Sequence, residues 1–158
     1  AGLWCVSDGK AVRIKEYYHS GRDTKRQLTD EEYHAALEKL IQYTDSEGVL
    51  QEYEIDRVVI DPSAASFIAC MRRHGKFRVK HAVNTVIDGI RNVTSMLNSK
   101  RLFIHSSCKD SIKEFKLYSW DDKAQEDKVI KENDHAMDDI RYFVNTILVK
   151  EFKWLDWW

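Results

Sequence analysis

The run Val58-Val59-Ile60-Asp61-Pro62 most narrows what this chain can fold into. Three consecutive β-branched residues are too few for a helix and are stiff at χ1, which suits a strand. The run does not alternate with polar residues, so both of its faces are expected to be buried, as in the parallel sheet of an α/β layer domain. Pro62 stops the strand because it has no N–H to give to a ladder. Asp61 is thereby left at the strand's carboxyl end, the side on which open α/β sheets gather ligands.

The surrounding pattern fits this reading. Residues 3–6 and 12–18 flank Ser7-Asp8-Gly9-Lys10, and an Asp-Gly pair between two apolar runs predicts a hairpin. Within the second arm Val12, Ile14 and Glu16 alternate with Arg13, Lys15 and Tyr17, a strand with two unlike faces. Thr29-Asp30-Glu31-Glu32 is a capping box, predicting a helix that carries Tyr33, Leu37, Leu40 and Ile41 and runs to about Asp45, with Gly48 ending it. A helix over residues 63–74 ended by Gly75, a short strand over 77–81, a helix over 85–98, a strand over 102–105 and a helix over 110–118 follow. Residues 120–127 read as a polar loop. Residues 135–149 place Ala136, Ile140, Phe143, Val144, Ile147 and Leu148 on one face of a strongly amphipathic helix. The order is a hairpin followed by alternating helices and strands, which predicts one α/β domain with an antiparallel start and a parallel continuation.

Composition excludes several classes. The 158 residues carry 25 Lys+Arg against 26 Asp+Glu, a formal charge of -1, so no global charge pulls the chain onto nucleic acid. With 43% hydrophobic and 32% charged residues it is too apolar to be disordered. Its apolar runs fall far short of the ~20 residues that span a bilayer, and nothing resembles a signal peptide. Cys5, Cys70 and Cys108 are an odd number without CxxC spacing. They predict reduced, buried thiols in a cytosol rather than a disulfide frame or a zinc site. There is no GxxxxGK[ST] phosphate loop and no GxSxG elbow.

Three places could carry chemistry. Asp61 either caps the next helix or faces a ligand. In Asn133-Asp134-His135-Ala136-Met137-Asp138-Asp139-Ile140-Arg141-Tyr142, His135 and Asp138 share one face near a helix start. There they serve as a metal site or merely complement the helix dipole. Together with Asp61 they would supply two acids and a histidine from separate segments, the kind of set that two-metal phosphodiester hydrolysis uses. The densest basic stretch, Arg72-Arg73-His74-Gly75-Lys76 with Arg78, Lys80 and His81, is either a phosphate contact or a solvated helix end.

Val58-Val-Ile-Asp61-Pro-Ser-Ala-Ala-Ser-Phe67, the helix around Thr85-Val-Ile-Asp-Gly-Ile-Arg-Asn-Val93 and above all Lys131-Glu-Asn-Asp-His135-Ala-Met-Asp138-Asp-Ile-Arg-Tyr142 resemble the C-terminal nuclease domain of phage terminase large subunits. The resemblance covers residues 1–149, with residues 150–158 left as an aromatic tail. It implies an RNase H-like mixed sheet that begins with the hairpin and is flanked by helices. It also implies a Mg2+ or Mn2+ dependent endonuclease with a two-metal site that cuts concatemeric viral DNA in the host cytoplasm. The implied partners are double-stranded DNA, a terminase small subunit, a portal protein and an ATPase domain of the same polypeptide. By the same resemblance Asp61 and Asp138 fall on the family's second and third acids and His135 on its motif histidine. Lys131, Arg72, Arg73 and Lys76 would lie along the phosphate path. The other readings are a resolvase or transposase core and a non-catalytic docking module whose acids are helix caps.

Two departures from the family pattern carry expectations of their own. Asp139 stands where a small apolar residue is usual, either adding a charge beside the site or facing water. The family's first acid lies on a strand just before the segment that starts here at Ala1, a central strand between residues 3–6 and 58–61. Asp8 sits in the hairpin turn and is no substitute, while Glu16 is a neighbour of the site at a different position. The expectation is weak or absent cutting by these 158 residues alone.

Overall fold

The chain opens as the hairpin that Asp8-Gly9 predicts. In a computed structural model describing residues 1–21, 25–118 and 134–152, β1 (Gly2–Ser7) and β2 (Lys10–Glu16) are antiparallel, with Ser7 opposite Lys10 and a register shift between Leu3 and Trp4. Asp8 (φ 51°) and Gly9 (φ 71°) both adopt left-handed conformations. Such a two-residue turn matches the twist of the flanking strands. The face of β2 turned inward is Ala11 and Arg13, so the charged arginine, at 1% exposure, lies in the interior.

Helix α1 (Asp30–Leu40) starts with the expected capping box. The Glu32 amide donates to Thr29 Oγ1 at 3.3 Å, and the Thr29 amide donates to Glu32 Oε2 at 2.9 Å. It stops at Leu40 rather than near Asp45, because a second hairpin takes over: β3 (Gln42–Thr44) pairs antiparallel with β4 (Leu50–Glu52). Asp45 makes the turn, its Oδ1 accepting from the amides of Glu47 (3.0 Å) and Val49 (2.9 Å), and Gly48 (φ 80°) serves that turn instead of ending a helix.

The β-branched run forms β5 (Val58–Ile60), followed by α2 (Ala65–His74), which ends at Gly75 in the left-handed conformation. Strand β6 (Val79–His81) lies parallel to β5, Val58 opposite Val79. Helix α3 (Val86–Asn98) leads to β7 (Leu102–Ile104), parallel to β2. Helix α4 (Lys109–Leu117) and helix α5 (His135–Phe143) follow. The single amphipathic helix expected over 135–149 is instead interrupted by a π-helical turn, Val144–Leu148, before α6 (Val149–Phe152). All five residues of that turn are buried. Its polar members are drawn inward by partners: Asn145 Oδ1 accepts from Asn92 at 2.8 Å, and Thr146 Oγ1 accepts from the Val83 amide at 2.9 Å.

Two cores result. In one, Met137, Ile140, Val144 and Leu148 pack on Ala11 and Leu102, with Trp4 and Phe143 stacked at 4.2 Å. In the other, Ile68 and Met71 of α2 pack with Ile60, Leu3, Ile41 and Phe77. The ladders are β1-β2-β7, β5-β6 and β3-β4, so β1 and β5 each have a ladder partner on one edge only among the described residues. An apolar cleft of about 580 Å³ lies along them, lined by Leu3, Trp4, Val58, Val59, Phe143 and Ile147 among others. Cys70 and Cys108 are buried free thiols as expected, but Cys5, near the turn end of β1, is exposed. No helix among the described residues is long and apolar enough to cross a membrane. The aromatic tail beyond residue 152, the loop at 120–127 and Lys131 lie outside the described residues.

Candidate nuclease site

Asp61 leaves the end of β5 half-buried, and α5 brings its first two turns past it. One cleft of about 390 Å³ is lined by Asp61, His135, Asp138, Asp139 and Tyr142, with Tyr18 and Tyr33 on its walls. The three residues singled out from the sequence, Asp61, His135 and Asp138, therefore share one cavity although α2, α3 and α4 intervene between the strand and the helix that carry them.

Each carboxylate is held. Asp61 Oδ1 accepts from the Ser63 amide at 2.8 Å, closing a turn before α2, and Oδ2 accepts from the Tyr142 hydroxyl. Helix α2 itself starts from Ala64 with no side-chain cap, so Asp61 shapes the turn without capping the helix. Partial burial would raise the Asp61 pKa, but the hydrogen bonds from Tyr142 and Ser63 outweigh it and hold the carboxyl below the ordinary range. The same geometry raises the pKa of Tyr142, by burial first and then by its bond to Asp61. Tyr142 thus stays a hydrogen-bond donor and ties the end of β5 to α5.

Asp138 Oδ1 accepts from Arg141 one turn on, while among the described residues Oδ2 carries no hydrogen bond. Arg141 is buried and anchored in turn, donating to the carbonyls of Asn84 (2.7 Å) and Thr85 (2.9 Å). Its side chain passes so close to α3 that a Cβ on Gly89 would collide with Arg141 Cγ. Asp139, beside Asp138 in the cleft wall, instead pairs with the buried Arg13 of β2, which explains a charge where an apolar residue was expected. His135 is exposed, its ring 6.3 Å from that of Tyr18.

Helix α5 has no side-chain cap of its own at Asp134. The cap comes from α4: Glu114, 2% exposed, accepts from the amides of Ala136 (2.7 Å) and Met137 (3.1 Å) through Oε2 and from the Tyr18 hydroxyl (2.7 Å) through Oε1. A carboxylate there offsets the positive end of the helix dipole. Glu16, the acid considered near the site, is occupied elsewhere. It accepts from the amides of Asp110 (2.8 Å) and Ser111 (3.2 Å) and from the Ser111 hydroxyl (2.6 Å), at the start of α4.

The basic stretch is partly neutralised. Arg73 and His74 pair with Glu31, Lys76 lies 3.3 Å from Glu38 and 3.0 Å from Glu52, and Arg72 Nη2 lies 3.3 Å from His81 Nε2. Tyr142 and Arg141 stood in the motif read from the sequence, but their pairing with Asp61 and Asp138 was not part of that reading. Glu114 gave no signal at all, since its role depends on the packing of α4 against α5.

A family model described as the terminase RNaseH-like domain matches residues 1–146. The chain belongs to this family. Among solved structures, the large terminase of a thermophilic bacteriophage in complex with ADP is similar at a TM-score of 0.83 and 45% identity. That match covers 93% of this chain and 36% of the phage protein. The same large terminase in complex with ATP-gamma-S matches with a TM-score of 0.82, again at 45% identity over 93% of this chain and 36% of that one. The chain thus spans about a third of the length of these large terminases. No curated protein sequence matches it. Membership of the terminase RNaseH-like family carries the mixed α/β fold with it, and agrees with the hairpin start and the flanking helices.

Proposed function

We propose that the chain is the metal-dependent endonuclease part of a viral DNA-packaging terminase, acting on concatemeric double-stranded DNA in the host cytoplasm. The observation that carries the reading is the convergence of Asp61, Asp138 and His135 from separate segments on one cleft. The donor set fits Mg2+ or Mn2+: carboxylate oxygens are the hard ligands such ions prefer, and Asp138 Oδ2 is free of hydrogen bonds among the described residues. Asp61 and Asp138 would hold the metal, which supplies Lewis-acid stabilisation of charge on phosphate oxygens and a more acidic water. Tyr142 keeps Asp61 ionised and oriented, Arg141 fixes the rotamer of Asp138, and His135 is placed to hydrogen-bond a water or a phosphate oxygen at the mouth.

A further acid on an extended segment would complete the set. The cleft beside the single-partner strands β1 and β5 would accept such a segment, which would continue both ladders by backbone hydrogen bonding. Cleavage contacts would be to the backbone and carry little sequence preference. Lys131, Arg72, Arg73 and Lys76 would supply phosphate contacts, the last two only after release from their acids. The packaging partners would be an ATPase domain of the same polypeptide, a terminase small subunit and a portal protein.

The test has two arms. Millimolar Mn2+ is expected to raise the melting temperature of the 158-residue protein, and Asp61→Asn or Asp138→Asn to remove the rise. Absence of any shift overturns the metal site. In a plasmid-nicking assay with Mn2+ these residues alone should cut weakly or not at all. Robust nicking abolished by Asp61→Ala would overturn the need for a further acid.

A further inference from the structure

A second cluster lies between α1 and the later turns of α2, among residues that do not line the nuclease cleft and are unused by its chemistry. Cys70 and His74 are one turn apart on α2 and Glu31 sits in the first turn of α1, with their ligand atoms all within 4.8 Å of one another. It is the only such group of three His, Cys, Asp or Glu ligands among the described residues. We propose that Glu31, Cys70 and His74 form a binding site for a borderline-soft divalent cation of the zinc class, clamping α1 to α2.

The geometry needs little change. Zinc bonds of about 2.0–2.3 Å to nitrogen, oxygen and sulfur bring ligand atoms to roughly 3.3–3.8 Å of one another, so a contraction of about 1 Å closes the site. His74 Nε2 and Glu31 Oε2 lie 2.6 Å apart, so this pair opens by about 0.7 Å as a cation takes the place of their hydrogen bond. Arg73 takes the other carboxylate oxygen, Oε1, and need not leave. Cys70 forms the floor at 2% exposure while Glu31 and His74 are exposed, so the cation has a path in from solvent.

The surroundings prepare the imidazole. His34, 4% exposed, stacks on His74 with ring centroids 3.8 Å apart and planes 17° from parallel, fixing the plane of the ligand ring. His34 Nδ1 faces Glu38 at 3.6 Å, whereas its Nε2 is buried with no hydrogen-bond partner among the described residues. Thiolate and imidazole select zinc-like ions over the hard Mg2+ and Mn2+ suited to the carboxylates of the cleft. Binding forms a metal–sulfur bond and breaks the Cys70 S–H bond, its proton passing to solvent. Because thiol and imidazole must both be deprotonated to bind a cation, affinity is expected to grow as pH rises.

Cobalt(II) serves as the probe, added to the reduced 158-residue protein. The expected result is a thiolate-to-cobalt charge-transfer band in the near ultraviolet that Zn2+ displaces, together with a rise in melting temperature on adding Zn2+. Cys70→Ala should abolish the band. His74→Gln and Glu31→Gln, at exposed positions that tolerate substitution, should each weaken binding by more than about tenfold, since even groups behind the ligands are worth that much. Cys5→Ser and Asp61→Asn should leave it unchanged, which separates this site from the exposed thiol and from the nuclease cleft. No band at saturating cobalt, a band that survives His74→Gln at unchanged affinity, or one lost in Cys5→Ser would overturn the assignment.

Discussion

Replacing Glu114 by alanine is expected to be among the most damaging single changes in the chain, although the residue lies on α4 and outside the cleft lining. Its carboxylate accepts three hydrogen bonds, from the amides of Ala136 and Met137 and from the Tyr18 hydroxyl. Ala136 and Met137 are 2% and 6% exposed, so water does not readily replace the lost acceptor. Two stranded amides at about 1–3 kcal/mol each, with the lost charge–dipole attraction at the start of α5, come to about 2–7 kcal/mol. Against a total stability of about 5–15 kcal/mol this leaves a protein near its folding threshold. Glu114→Gln keeps one oxygen for the amides and loses the charge, and about 1–2 kcal/mol is expected. Urea denaturation of the three proteins reads the difference directly from the midpoints at constant slope. The reasoning is refuted if Glu114→Ala lies within about 1 kcal/mol of the parent protein, or if Gln costs as much as Ala, because then the cap is not what the carboxylate supplies.

Gly89→Ala should destabilise by about 1–3 kcal/mol through its collision with Arg141. Combining it with Arg141→Ala should cost less than the sum of the two, measurable as a thermal double-mutant cycle. Asp61 titrates below its unfolded value near 3.8, so its stabilising contribution is complete above that value and disappears as pH falls through the folded pKa. The gap in urea midpoint between the parent and Asp61→Asn should therefore be constant at neutral pH and close in acid; a gap that widens in acid contradicts the Tyr142 and Ser63 contacts. Alkylation of the native protein should add one adduct, at the exposed Cys5, and three in urea, because Cys70 and Cys108 are buried. Mass spectrometry after brief labelling decides it.

What the sequence made legible was whatever depends on neighbours in the chain. The Asp8-Gly9 turn, the Thr29–Glu32 box, the stop at Gly75 and the strand ending in Asp61 are set by residues close by in sequence, and each is where it was expected. The misses came where tertiary partners intervene. Helix α1 yields after Leu40 because residues 42–44 gain a strand partner in residues 50–52, and the periodicity of Tyr33, Leu37, Leu40 and Ile41 cannot register that competitor. The π turn at Val144–Leu148 is invisible in a hydrophobic stripe, since Asn145 and Thr146 become interior only through Asn92 and Val83. In the cleft, Asp61, His135 and Asp138 came from the sequence, and the resemblance placed the acids in order. Arg13 is a buried cation on a strand read only as having two unlike faces, and its partner Asp139 lies 126 residues away. Glu114 caps a helix that is not its own. Neither was readable, because each is defined by a contact that no local pattern encodes.

The opposite tethers of Asp138 and Asp139 have a consequence for register. Adjacent, chemically identical acids on one helix invite an error: a rotation of about 100° would exchange them. Here the exchange is forbidden by unequal leashes. Asp139 answers to an arginine rooted in a strand, and Asp138 to one pinned by the carbonyls of Asn84 and Thr85. Turning the helix would break the Asp139–Arg13 pair and at the same time pull Arg141, which travels with Asp138, off the carbonyls of Asn84 and Thr85. The doublet that looks redundant on paper thus works as a key cut on two sides, admitting one orientation of the helix and therefore one assignment of partners to the two acids.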